Sequence, residues 1–60
     1  MKVRVMTIHT VDGQSYTHDM MTCSLNIEGD RLTFTFFRGE EKVEQVYLVR
    51  NIIMIERMGK

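Results

Sequence analysis

Sixty residues with 43% hydrophobic content, eight basic and eight acidic side chains and no formal net charge read as one small folded domain over residues 1–60, not as a disordered chain. Charge balance weighs against a nucleic-acid binder, which usually carries a basic excess for its phosphate contacts, but leaves room for a local basic patch. Cys23 is the single cysteine, which rules out an intrachain disulfide, and no apolar run reaches the ~18–20 residues of a spanning helix.

The first strand runs from Lys2 to Val11 and is dense in β-branched residues. Asp12-Gly13 suits a two-residue type I′ turn into a second strand over Gln14 to His18. That loop sets Thr10 against Ser15, His9 against Tyr16, Ile8 against Thr17 and Thr7 against His18. One face then holds Val3, Val5, Thr7, His9, Val11, Tyr16 and His18. The other holds Lys2, Arg4, Met6, Ile8, Thr10, Ser15 and Thr17. Val3, Val5 and Tyr16 mark the inner face, leaving Met6 and Ile8 as an apolar spot outside. Residues 19–22 break the alternation and predict a bend.

A two-residue loop at Gly29-Asp30 pairs Glu28 with Arg31, Ile27 with Leu32, Leu25 with Phe34 and Cys23 with Phe36. All the apolar members fall on one face, because side chains alternate along a strand. The opposite face collects Ser24, Asn26, Glu28, Arg31, Thr33 and Thr35. After Gly39-Glu40 a fifth strand has two available registers. A two-residue loop sets Phe36 against Val43 and Phe34 against Gln45. A three-residue loop with a bulge sets Phe34 against Val46 and Leu32 against Leu48, and is favoured because it keeps Gln45 off the core. Val49-Arg50-Asn51 predicts a brief helix-like turn before a last short strand over Ile52 to Glu56. A C-terminal helix over Ile52 to Met58 is the weaker reading, given adjacent β-branched residues and no cap.

The segment from Leu48 to Ile55 resembles the last-strand junction of SH3-like barrels in its pattern of polarity. The turns and alternating strands predict an all-β, antiparallel fold, and the resemblance implies a five- or six-stranded, strongly bent sheet or SH3-like barrel. It carries over no functional residues, since the chain has no tryptophan and no paired-tyrosine motif.

Little in the sequence carries chemistry. His9 and His18 share a face in the expected hairpin, with Asp19 or Cys23 as a third group, but the ligand spacing of a metal site is absent, so no metal or cofactor is expected. Cys23 falls in an apolar row, where burial keeps a thiol unreactive. Ser15 and Ser24 have no histidine opposite, and Glu40-Glu41 reads as a solvated loop. No enzyme is expected.

The apolar residues exceed what one small interior absorbs. Met6, Ile8, Phe37, Ile52 and Met54 are the candidate interface, with methionine suited to an adaptable surface. The first reading is therefore a cytoplasmic, non-membrane interaction module that self-associates as a dimer or ring and binds or blocks another macromolecule. Proteins this small and free of motifs fit the accessory or inhibitory factors of phages and mobile elements. A second reading is a nucleic-acid-binding small barrel of the SH3-like, Sm-like or OB type. It would use Lys2, Arg4, Arg31, Arg38 and Arg50, with Tyr16, Phe37 and Tyr47 as stacking platforms. A third is a small-ligand or nucleotide site between subunits, around His9, Tyr16 and His18.

Overall fold

The computed structural model describes residues 2–59. Six strands follow one another: β1 (Val3–Thr10), β2 (Ser15–Asp19), β3 (Ser24–Glu28), β4 (Arg31–Arg38), β5 (Glu41–Leu48) and β6 (Ile52–Gly59), with a single 3-10 turn, Val49–Asn51, between the last two. The strands form two three-stranded antiparallel sheets, ordered β2-β1-β6 and β3-β4-β5. The chain is all-β, and among the described residues no ladder joins the two sheets into a closed barrel. The C-terminal segment is strand, not helix. The turn at Val49–Asn51 falls where the helix-like interruption was expected.

The β3–β4 hairpin has the expected register, with Glu28 opposite Arg31, Ile27 opposite Leu32 and Leu25 opposite Phe34. Cys23 lies just before β3 and takes no place in that ladder. Gly29 has φ +57° and among the described residues no non-glycine residue has a positive φ, so the positive angle falls on the first loop residue alone, as a type II′ turn requires. Gly39-Glu40 repeats this pattern with φ +67° at Gly39. It gives the two-residue register, with Phe36 opposite Val43 and Phe34 opposite Gln45. The favoured three-residue alternative is therefore wrong. Gln45 is accommodated on the core-facing side because the Tyr47 hydroxyl donates to its Oε1 at 3.2 Å.

The β1–β2 hairpin departs from expectation by one residue. The observed pairs are His9–Ser15, Ile8–Tyr16, Thr7–Thr17 and Met6–His18. The loop is Val11-Asp12-Gly13, closed by Gly13 N–H to Thr10 O at 3.0 Å and Thr10 N–H to Gln14 O at 2.9 Å. A type I′ turn needs positive φ at both central residues, and this loop needs it only at Gly13, where φ is +87°. Asp12 consolidates the longer loop, because its carboxylate accepts from the Thr10 hydroxyl and from Gln14 N–H. These bonds hold its carboxyl below the usual range, the Thr10 hydroxyl first and the Gln14 amide second.

A one-residue slip exchanges the faces of a strand. Met6 and Ile8 therefore point inward, and Ile8 is fully buried. The core is Met6, Ile8, Leu32 and Phe34, all four from the central strands β1 and β4, with Val3, Met20, Cys23, Leu25, Tyr47 and Ile52 packed around it. Register shifts at Arg4 and at Ile53 mark bulges in the β1–β6 ladder. Each restores an aliphatic to the interior: Val3 at one end and Ile52 at the other pack on the core. Ile27 and Val46, expected on the inner face, are exposed, as are Ile53 and Ile55 of β6.

His18 joins the sheets. It is buried, and its ring stacks on Phe34 with centroids 4.1 Å apart and planes 6° from parallel. Its Nε2 lies 2.7 Å from the Tyr47 hydroxyl. Since that hydroxyl donates to Gln45, its oxygen accepts from His18 Nε2–H, and the row His18–Tyr47–Gln45 is satisfied throughout. Burial pushes the His18 imidazole below its ordinary value and so favours the neutral ring.

Candidate functional site

The expected interface residues separate into three environments. Met6 and Ile8 are core residues, so their assignment to an exposed patch is corrected: the slipped hairpin turns them inward. Ile52 is half-buried against the core. Phe37 and Met54 are exposed, but they stand on different sheets. Phe37 lies in a shallow cleft with Thr22, Cys23 and Asp19, and Met54 stands opposite His9.

The strongest concentration of uncovered apolar surface is β6, a cluster the sequence reading named only in part. Ile53 is 67% exposed, Met58 66%, Met54 48% and Ile55 41%. The bulge at Ile53 and the sheet alternation place these residues on both faces of the strand. The side of β6 away from β1 has no ladder partner among the described residues. Beside it the two sheets splay into an open cleft of about 700 Å³, lined by Ile55 and Arg57 of β6, Leu25 and Ile27 of β3, and the core residues Met6 and Leu32. An unpaired edge, an apolar strand and an apolar cleft thus meet along one border of the molecule. Hydropathy counts over Ile52 to Met58 contain this signal, but its exposure depends on β6 being an edge strand, which no local pattern reports.

A second cleft, about 540 Å³, runs along β5 and contains Tyr16, Tyr47, Asp12 and Asn51. The two tyrosine rings are 5.7 Å apart. The tyrosines are remote in sequence and are brought together only by the packing of β2 over β5. Burial pushes the Tyr47 hydroxyl above its ordinary value, consistent with its part in the His18 row.

The histidine grouping expected for a small-ligand site is also corrected. Tyr16 and His18 face inward, whereas His9 is on the opposite face, again because of the slip. His9 joins three strands there: Ser15 Oγ is 2.8 Å from its Nδ1, and Glu56 Oε1 is 2.5 Å from its Nε2. Ser15 therefore does have a histidine directly opposite. A serine, a histidine and a carboxylate in line are the parts of a nucleophilic site. These three lie on the solvent side of the β2-β1-β6 sheet, outside the four clefts found among the described residues. The arrangement serves to clamp β2, β1 and β6 side by side.

Burial raises the Cys23 thiol, with the charge of Asp19 adding to the effect, so the thiolate is disfavoured. Among the described residues no three His, Cys, Asp or Glu side chains converge on a metal-sized site. The five candidate basic residues sit in different local settings. Lys2 and Arg4 share a shallow cleft with Met21. Arg31 stands opposite Glu28 and Arg38 opposite Glu41, and Arg50 sits on the 3-10 turn. Among the described residues no helix is long and apolar enough to cross a membrane.

Comparison with protein-family models, with curated proteins and with solved structures returns no match.

Proposed function

We propose that this protein is a non-enzymatic interaction module, a self-associating small β domain that binds or blocks another macromolecule as an assembly. The observation that carries this reading is the imbalance between interior and surface. Among the described residues four apolar side chains are buried and eleven large apolar ones are exposed. Scattered exposed apolar residues are ordinary. A run of them on one unpaired edge strand, next to an open apolar cleft, is the pattern of an interaction surface. A chain of 60 residues with so small a core also gains stability from a partner that covers it.

The path of the chain supports an SH3-like reading of the architecture: a hairpin, a three-stranded meander, a 3-10 turn, and a last strand returning to β1. Pairing of Arg31 and Arg38 positions with acidic ones supports protein over nucleic acid as the partner, because phosphate binding favours a continuous basic surface. Small size fits an accessory or inhibitory role, such as phages and mobile elements use.

Light scattering during gel filtration tests the reading. The protein at tens of micromolar is expected to elute as a dimer or larger species that dissociates on dilution. A strict monomer over the whole range would remove the basis of the proposal.

A further inference from the structure

Four edge strands are available for association, and three are poorly suited to it. β2 and β3 are five residues each, and their outward faces carry Ser15, Thr17, Ser24, Asn26 and Glu28. β5 begins Glu41-Lys42-Val43-Glu44, and charges of this kind protect an edge. β6 is eight residues long, has no charge before Glu56, and is exposed along nearly its whole length.

Resting on the reading of the protein as a self-associating module, we infer that the occupant of this edge is β6 of a second copy, paired antiparallel about a two-fold axis at Ile55. The argument is one of parity and charge. In an antiparallel pair related by a two-fold axis normal to the sheet, directly opposed residues point to the same side. Since side chains alternate, the axis must pass through a residue, not between two. The bulge at Ile53 interrupts the alternation at the start of β6, so the axes near the middle of the regular stretch are Ile55, Glu56 and Arg57, and an axis at Arg57 sets the two guanidiniums face to face. An axis at Glu56 sets the two Glu56 carboxylates face to face, which is destabilising. An axis at Ile55 sets Ile55 against its own copy, Met54 against Glu56 and Ile53 against Arg57. No like charges then stand opposite each other.

The product is a continuous six-stranded sheet, β2-β1-β6 joined to the same three strands of the second copy, through an isologous contact that closes on itself. It satisfies the free backbone groups of both edges. It also brings the Ile55 borders of the two apolar clefts together, so each copy shields the other's cleft.

The register makes a prediction that depends on the sign of a charge. Met54 is exposed on the solvent side, next to Glu56 of the other copy, so either charged substitution leaves the core untouched. Sedimentation equilibrium at low salt is expected to show Met54→Lys dimerising at least as tightly as wild type. Met54→Glu is expected to weaken the dimer about tenfold or more, since a like-charge juxtaposition across an interface costs on the order of kilocalories. Ile55→Lys and Ile55→Glu provide a second arm: each alone is expected to be a folded monomer by circular dichroism, and an equimolar mixture to form a one-to-one dimer. Val46→Lys on β5 is expected to leave the dimer intact.

A wild-type protein that stays monomeric overturns both this inference and the reading beneath it. A wild-type dimer that responds alike to Met54→Lys and Met54→Glu, or that is lost in Val46→Lys, overturns the β6 register alone. If the Ile55 variants fail to fold, the Met54 pair decides the matter.

Discussion

β4 and β6 are both eight-residue strands with several large apolar side chains, and they have opposite fates. β4 contributes Leu32 and Phe34 to the core, with Phe34 fully buried, whereas most of β6 is exposed. Hydrophobic content does not separate them. Position does: β4 is flanked by strands on both sides and roofed by β1 and β2, while β6 ends its sheet and looks into an open cleft. The lesson is that apolar residues on a central strand report stability, and the same residues on an edge report an available surface.

The largest expected effect falls on the central strand. Phe34→Ala removes the ring stacked on His18 and met edge-on by Tyr47. Chemical denaturation should show a loss of about 3–5 kcal/mol, enough to unfold a domain of this size. Retention of more than half that stability would mean that β4 does not hold the core.

The other central strand, β1, is held in register by the loop ending at Gly13. Nothing lies within 4 Å of an added Cβ there, and φ is +87°, so Gly13→Ala tests backbone strain alone. A loss of about 1–2 kcal/mol is expected. An unchanged midpoint would count against the three-residue loop and with it the inward placement of Met6 and Ile8.

Acid gives a third, smaller test of the central strands through His18. Burial holds the folded imidazole below the ordinary value of 6.5, so the unfolded chain takes up the proton first. Stability is therefore full above that value, falls as the pH drops below it, and levels off once the folded ring also protonates. Thermal melts from pH 7.5 to 5 should show the decline, and His18→Gln should flatten it. A wild-type profile indistinguishable from that variant would show that the ring is not buried neutral.

The smallest effect belongs to the edge. Ile53→Ser in dilute monomer should change stability by no more than about 0.5 kcal/mol. A loss of several kilocalories would place Ile53 in the core and erase the contrast between the two strands.

The contrast also explains what could be read from the sequence. The register of the β3–β4 hairpin from Leu25 to Phe34 was legible, because Gly29 stands first in its loop and both strands sort polar from apolar in the same register; the expected Cys23–Phe36 pair and the burial of Ile27 were not found. The β1–β2 hairpin was not legible. Asp12-Gly13 is compatible with loops of two or three residues, and both faces of β1 carry apolar side chains, so parity could not choose between Val3-Val5 and Met6-Ile8. β5 was misread because Gln45 looks out of place on an inner face until its bond to Tyr47 and the buried His18 beyond it are seen. Of the candidate surface, Met54 and Phe37 were legible as surplus apolar residues. The gathering of Ile53, Ile55 and Met58 along one free edge was not, because edges are set by sheet order.

Hydrogen exchange at two protein concentrations, one below and one well above the association midpoint, tests the central claim most directly. Protection of the β6 amides should rise with concentration while that of the β4 amides stays constant. Protection of β6 that is independent of concentration, or a rise located on β5 instead, would contradict the account.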